Sequence, residues 1–163
     1  MKYAVALCAV LWAGTGMALD FPILKAGLWE QSLLSDGRTA PSSQLCIDAN
    51  MAKDMMQMGL AMSRQMCTRS DVKFSGNKAY GEAECSFGGS KMISKSVTTF
   101  NSDSSYRSEA QVKYDPPFMG KSGTTTVVEA KWKGACPADM QPGDIIVPGG
   151  MKMNLRNMPG MKQ

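Results

Sequence analysis

Apolar and polar residues alternate along most of this chain, and once the alternation gives way to a helical period. In the stretch from Gly27 to Leu34, Trp29, Gln31 and Leu33 fall on one face and Leu28, Glu30, Ser32 and Leu34 on the other. With Ser35-Asp36-Gly37 behind it, that pattern predicts a strand and a turn. Ser42 to Ile47 is a second, shorter strand. Asp48 then offers a helix N-cap, and Ala49 to Gln65 is rich in good helix formers and free of proline. Its one glycine, Gly59, costs about 1 kcal/mol relative to alanine and does not end the helix.

Beyond Cys67 the period returns to two. Asp71–Phe74 and Lys78–Cys85 flank Ser75-Gly76-Asn77, a hairpin in which Gly76-Asn77 can supply positive φ. Phe87-Gly88-Gly89 leads into a strand from Met92 to Phe100, and Ser102-Asp103-Ser104 turns it into Tyr106–Tyr114. Asp115-Pro116-Pro117 is expected to stop that strand, because prolines donate nothing to a ladder. A last long strand covers Thr124 to Trp132. The fold expected is α+β and β-rich: a curved antiparallel meander of about six to eight strands, able to curl into an open barrel, with one helix after the second strand.

The N-terminus follows a different logic. Lys2, the apolar run Ala4–Ala13 and the small residues up to Ala18 have the three parts of a secretory signal peptide, expected to be cleaved after residue 18. The run is short of the roughly 18 residues that span a bilayer. That leaves 19–137 as one sheet domain and 138–163 as a Gly/Pro/Met-rich, largely irregular tail with a short strand at Ile145–Val147. Without Lys2 the formal charge of +4 drops to +3, too mild and dispersed for nucleic acid. The compartment expected is periplasmic or secreted, with no membrane span in the mature chain.

Losing Cys8 with the leader makes the five cysteines an even set: Cys46, Cys67, Cys85 and Cys136. In an exported chain this reads as two disulfides, and no spacing suits a zinc ribbon. The pairing expected is Cys46–Cys67, closing over the helix, and Cys85–Cys136, joining the ends of the strand series.

Lys25-x-Gly27-Leu28-Trp29-Glu30 near the start, Cys46 before a helix, Cys67 ahead of Ser75-Gly76-Asn77, Cys85 closing the next strand and Gly134-Ala135-Cys136-Pro137 together resemble the bacterial exported family catalogued as domain of unknown function 3617. The resemblance covers Lys25 to about Pro137. It implies a small antiparallel domain with two disulfides and no assigned reaction. It departs in one place: family members tend to carry Met-Pro-Gly-Met after the first strand, whereas here Met158-Pro159-Gly160-Met161 stands at the C-terminus.

No histidine is present, which removes Ser-His-Asp and Cys-His catalysis and imidazole-ligated metal. Glu82 and Glu84 could form a carboxylate pair, but alternate acids on a strand more commonly face solvent and pair with cations such as Lys78, Lys91 and Lys95. Gly88-Gly89-Ser90-Lys91 lacks the spacing and helix of a phosphate loop. The expectation is therefore a non-enzyme without a cofactor. Of the 15 methionines, 13 survive leader removal. Met51, Met55, Met58 and Met62 form a stripe at helical period, expected to pack on the sheet or, in the sharper reading, to line an adaptable groove. Met140, Met151, Met153, Met158 and Met161 lie in the tail, and the last four are candidate thioether ligands for Cu(I) or Ag(I). Trp29, Tyr80, Phe100, Tyr106, Tyr114 and Trp132 are expected on the buried face, or at a barrel mouth that admits an apolar ligand. The leading functional expectation is non-enzymatic binding of a hydrophobic small molecule or an envelope protein. Soft-metal binding by the tail and a structural or protein-interaction role stand beside it.

Overall fold

The structure, a computed structural model, describes residues 23–157. The expected signal peptide, residues 1–18, lies outside the described residues together with Met158 and Met161, as do the side chains of Met56, Met58 and Met62. In chain order the elements are β1 (Gly27–Ser35), β2 (Arg38–Ile47), α1 (Ala49–Met66), β3 (Cys67–Ser75), β4 (Lys78–Phe87), β5 (Ser90–Ser102), β6 (Ser105–Phe118), β7 (Lys121–Gly134), β8 (Asp144–Ile146) and β9 (Lys152–Asn154), then a 3-10 turn, Leu155–Asn157. All nine strands form one antiparallel sheet in the order β3-β4-β5-β6-β7-β1-β2-β8-β9. The sheet does not close, and β3 and β9 are its edges.

Turn chemistry sets the hairpins. Asp36-Gly37, Gly88-Gly89 and Met119-Gly120 each have positive φ at both positions, the twist-matched two-residue connection. The β6 strand runs on through Pro116 and Pro117 instead of stopping before them. Its pairing to β7 lapses between Lys113 and Phe118, so the prolines sit where no ladder bond is asked of them.

The helix makes the longest connection. Asp48 caps it by accepting a hydrogen bond from the Met51 amide at 2.7 Å. At about 1.5 Å per residue its 18 residues span about 27 Å. Its ends join β2 and β3, six strand positions apart, or about 29 Å at about 4.8 Å per strand. Met51 packs at the β1–β2 flank and the C-terminal part of the helix lies against β3 and β4, so α1 crosses the strands over one face.

The disulfides follow from this crossing. Cys67 pairs with Cys85 and Cys46 with Cys136, which corrects both expected bonds. A Cys46–Cys67 bond cannot form, because the helix carries the chain from one flank of the sheet to the opposite edge, far beyond the roughly 7 Å that a disulfide tolerates between Cα atoms. Cys67 and Cys85 are instead cross-strand partners of β3 and β4. Strand β1 brings the other two together, since Leu28 lies opposite both Cys46 and Gly134.

The core is small and lies at one flank. Trp29, Leu45, Ile47, Met51 and Ala130 are buried together, with Met55, Tyr106, Trp132, Ile145 and Leu155 packed around them. The chain after Cys136, expected to be largely irregular, contributes here. Met140 is buried, Ile145 pairs with Leu45, the Gly143 amide donates to the Cys46 carbonyl at 2.8 Å, and Arg156 reaches the N-cap carboxylate of Asp48 at 2.7 Å. Strands of three residues carry no readable period, which is why the sequence suggests only one of the two.

Candidate functional site

Paired residues of an antiparallel ladder share a face, so the register sorts every strand position into the side under the helix or the side away from it. The outer side is charged. Arg69, Glu82 and Lys95 form a row across β3, β4 and β5; Lys91 meets Glu84, Arg107 bridges Glu109 and Glu129, and Lys133 meets Glu30. Glu82 and Glu84 therefore sit in solvated ion pairs, outside any cleft.

The inner side is of another kind. Its middle rows are Val72, Gly81, Ser96, Ala110 and Thr126 in one line, and Ser70, Ala83, Ser94, Val112 and Thr124 in the next. From β3 through β1 this face carries no charged side chain among the described residues; β2 adds Arg38, opposite Ser35 at the rim. The small residues make a floor rather than a wall, and Gly81 is as close as the floor allows: a Cβ there would stand 2.5 Å from the Ser96 hydroxyl. Apart from Ser70, which is exposed at the β3 edge, these positions are half-buried, although they lie on the helix side.

Two hollows open between helix and sheet. One, of about 300 Å³, is lined by Leu24, Trp29, Gln31, Leu45, Ile47, Met55, Thr98, Phe100 and Tyr106. Trp29 and Phe100 flank Tyr106 at 5.8 and 6.0 Å between ring centroids. The Gln31 amide donates to the Tyr106 hydroxyl at 3.1 Å, and Thr98 donates to Ser108 at 2.9 Å. Burial pushes the Tyr106 phenol up from its ordinary value, against the Gln31 bond, so it stays a neutral donor. The second hollow, about 440 Å³, lies under the helix C-terminus among Gly59, Ser63, Met66, Ala83, Phe87, Met92 and the Cys67–Cys85 bond. Met55 lines the first hollow and Gly59, one turn on, the second, so the two are neighbours along one trough.

The aromatic expectation holds for five of six residues: Trp29, Phe100, Tyr106, Tyr114 and Trp132 face inward by register, while Tyr80 faces out and is exposed. Of the methionine stripe, Met51 is core and Met55 lines a hollow. In the tail Met140 is buried and its sulfur is spent on packing. Met151 is exposed and Met153 half-buried opposite Ile145. The hydroxyl- and alanine-lined floor is the feature the sequence reading missed. Its signal was present in the alternation itself, since Ala83, Ser94, Ser96 and Ala110 occupy middle inward positions of β4 to β6 where a packed sheet would carry Val, Ile or Leu.

The Gly-Leu-Trp-Glu segment has structural roles. A Cβ on Gly27, whose φ is 134°, would stand 2.2 Å from the Gly134 carbonyl oxygen, so only glycine permits that crossing. Trp29 is core with its indole N–H donated to the Lys25 carbonyl at 2.9 Å, and Glu30 meets Lys133.

An open antiparallel sheet crossed by one helix, held by two disulfides and hollow beneath the helix, defines the class: a small, disulfide-stapled, trough-bearing β domain. A family model described as "Protein of unknown function (DUF3617)" matches residues 24–136, and the chain belongs to that family. The match runs from Leu24, at the first hollow, to Cys136 of the second disulfide. No curated protein and no solved structure matches the chain.

Proposed function

We propose that this protein is an exported, non-enzymatic carrier domain that holds an apolar, uncharged ligand, such as the acyl part of a neutral lipid, in the trough between helix and sheet. The observation behind this reading is the contrast of faces: ion pairs across the outer side, and on the inner side a half-buried floor without charge. An ionised carboxylate in that trough would lose its hydration with no cation to meet it, a cost of several kcal/mol. A neutral ester, amide or hydroxyl would find Gln31, Thr98 and Tyr106 as partners at the deeper end. Two disulfides suit an oxidising compartment. Among the described residues no helix is long and apolar enough to cross a membrane.

Native mass spectrometry and lipid extraction of protein purified from its own periplasm test the reading, followed by titration of the stripped protein with a monoacylglycerol and with the matching fatty acid, read by tryptophan emission because Trp29 lines the trough. The monoacylglycerol should bind at least about tenfold more tightly at neutral pH. Thr98→Asp and Ala83→Phe, which charge one hollow and fill the other, should each abolish binding. Equal affinity for both lipids, or binding untouched by either substitution, would sink the reading.

A further inference from the structure

We infer that the end of the sheet where the second hollow opens is a docking tip for an anionic bilayer surface. This deepens the carrier reading and rests on it, since a carrier must exchange its ligand with a membrane. Three hairpin turns, Asp36-Gly37, Gly88-Gly89 and Met119-Gly120, lie at the same end of the sheet as the helix C-terminus. Large apolar side chains stand out from it: Met119 is 87% exposed, Phe87 50% and Met66 44%. They form one patch, because Phe87 packs edge-on against Phe118 at 5.6 Å and shares the lining of the second hollow with Met66. Met119, next to Phe118 and itself at a φ of 50°, is held outward at the point of a turn.

Charge says what such a patch would meet. Lys121 and Lys91 at this end are paired with Asp36 and Glu84. Arg38, Arg64 and Lys113 have no acidic partner among the described residues, against one acid so placed, Asp115. Arg38 shares a surface recess with Gly120, Ser122 and the Asp36–Lys121 pair, where a phosphate could accept from the Arg38 guanidinium and the Ser122 hydroxyl beside the already paired Lys121. Aromatic and methionine side chains beside unpaired cations are the chemistry that inserts into an acyl boundary while holding anionic headgroups. The hollow lined by Phe87 and Met66 opens within the same patch, so a docked tip faces the ligand's path to the lipid.

The test is co-sedimentation of the mature protein with vesicles of phosphatidylglycerol and phosphatidylcholine in equal parts, and with phosphatidylcholine alone, at low and high salt. The protein should pellet with the anionic vesicles at low salt and leave them at high salt. The R38E/K113E pair should weaken this by about tenfold or more, and Met119→Asn by about fivefold. Both variants should melt like the parent and take up monoacylglycerol without vesicles as the parent does, because Arg38, at the rim, Lys113 and Met119 line neither hollow. A parent that stays in the supernatant, equal binding to both vesicle types, or variants that pellet like the parent would overturn the proposal. Monoacylglycerol uptake in the same samples separates the two ideas: uptake without vesicle binding removes the tip alone, and vesicle binding without uptake removes the trough while the tip stands.

Discussion

The two flanks of the sheet are built to different standards. At the β1–β2 flank, Trp29, Leu45, Ile47, Met51 and Ala130 are buried, the Cys46–Cys136 bond closes the strand ends, and residues 140–156 cover the outside. At the β3–β6 flank the middle of the inward face is mostly Ser, Ala, Gly and Thr with Val72 and Val112 among them, half-buried apart from exposed Ser70, and the helix is held by its last turn and one bond at the edge. Stability is concentrated on one side, and the other is left open under the same helix. A site that admits and releases a ligand belongs in the part with least packing to lose.

Breaking the Cys46–Cys136 bond is the largest test of that division. On the chain-entropy model a loop of 90 residues is worth about 4–5 kcal/mol, against about 3 for the 18-residue loop of Cys67–Cys85. The C46A/C136A pair should therefore lower unfolding free energy in urea more than the C67A/C85A pair. The second pair should nonetheless alter ligand uptake more, because that bond lines a hollow. Non-reducing peptide mapping gives the pairing itself directly.

Side-chain truncation sharpens the comparison. Trp29→Ala should cost about 3–5 kcal/mol, as expected for a large residue removed from a filled core. Val72→Ala, inward but half-buried on β3, should cost about 1 kcal/mol or less, since water already reaches much of what it covers. Equal losses would mean that the β3–β6 flank is as tightly packed as the other.

Much of this architecture was legible in the sequence. The helix bounds, the Asp48 cap, five long strands and the Asp36-Gly37 and Gly88-Gly89 turns follow from period and turn chemistry, which are local. The disulfide pairing and the trough were not, because both depend on where α1 takes the chain. Nothing within Ala49–Met66 says that it crosses six strand positions, and the nearest-in-sequence pairing of Cys46 with Cys67 ignores that traverse. Pro116 and Pro117 misled for a related reason: a proline ends a strand only where its neighbour needs a donor, and the β6–β7 register there does not.

A smaller test sits at the helix N-terminus. Asp48→Ala removes both the cap on the Met51 amide and the anchor of Arg156, and should cost about 1 kcal/mol. Arg156→Ala loses only a solvent-exposed pair and should cost about 0.5 kcal/mol or less. If the two losses match, the tail, and not the cap, is what holds α1 against β2.

Acid should discriminate least in size but most clearly in place. The Asp48 carboxylate is held below its ordinary 3.8 by the Met51 amide and then Arg156, and Asp144 by the Gln141 amide, Asn154 and Lys152. At the opposite end of β1, Asp36 is held down by Lys121, the Thr125 amide and Thr124. A carboxylate lowered on folding stabilises the fold above its ordinary value, and that contribution fades as pH falls through the folded value. The melting temperature should thus hold to about pH 5 and drop by about pH 3. Asp48→Asn and Asp144→Asn should flatten the part of that drop seen by Trp29 emission, because both act on the flank that buries it. Asp36→Asn should flatten the global calorimetric drop while leaving less mark on Trp29, since Asp36 ties the turn at the open tip to β7. If all three carboxylates report equally at Trp29, the turn end and the core end of the β1–β2 hairpin unfold as one unit.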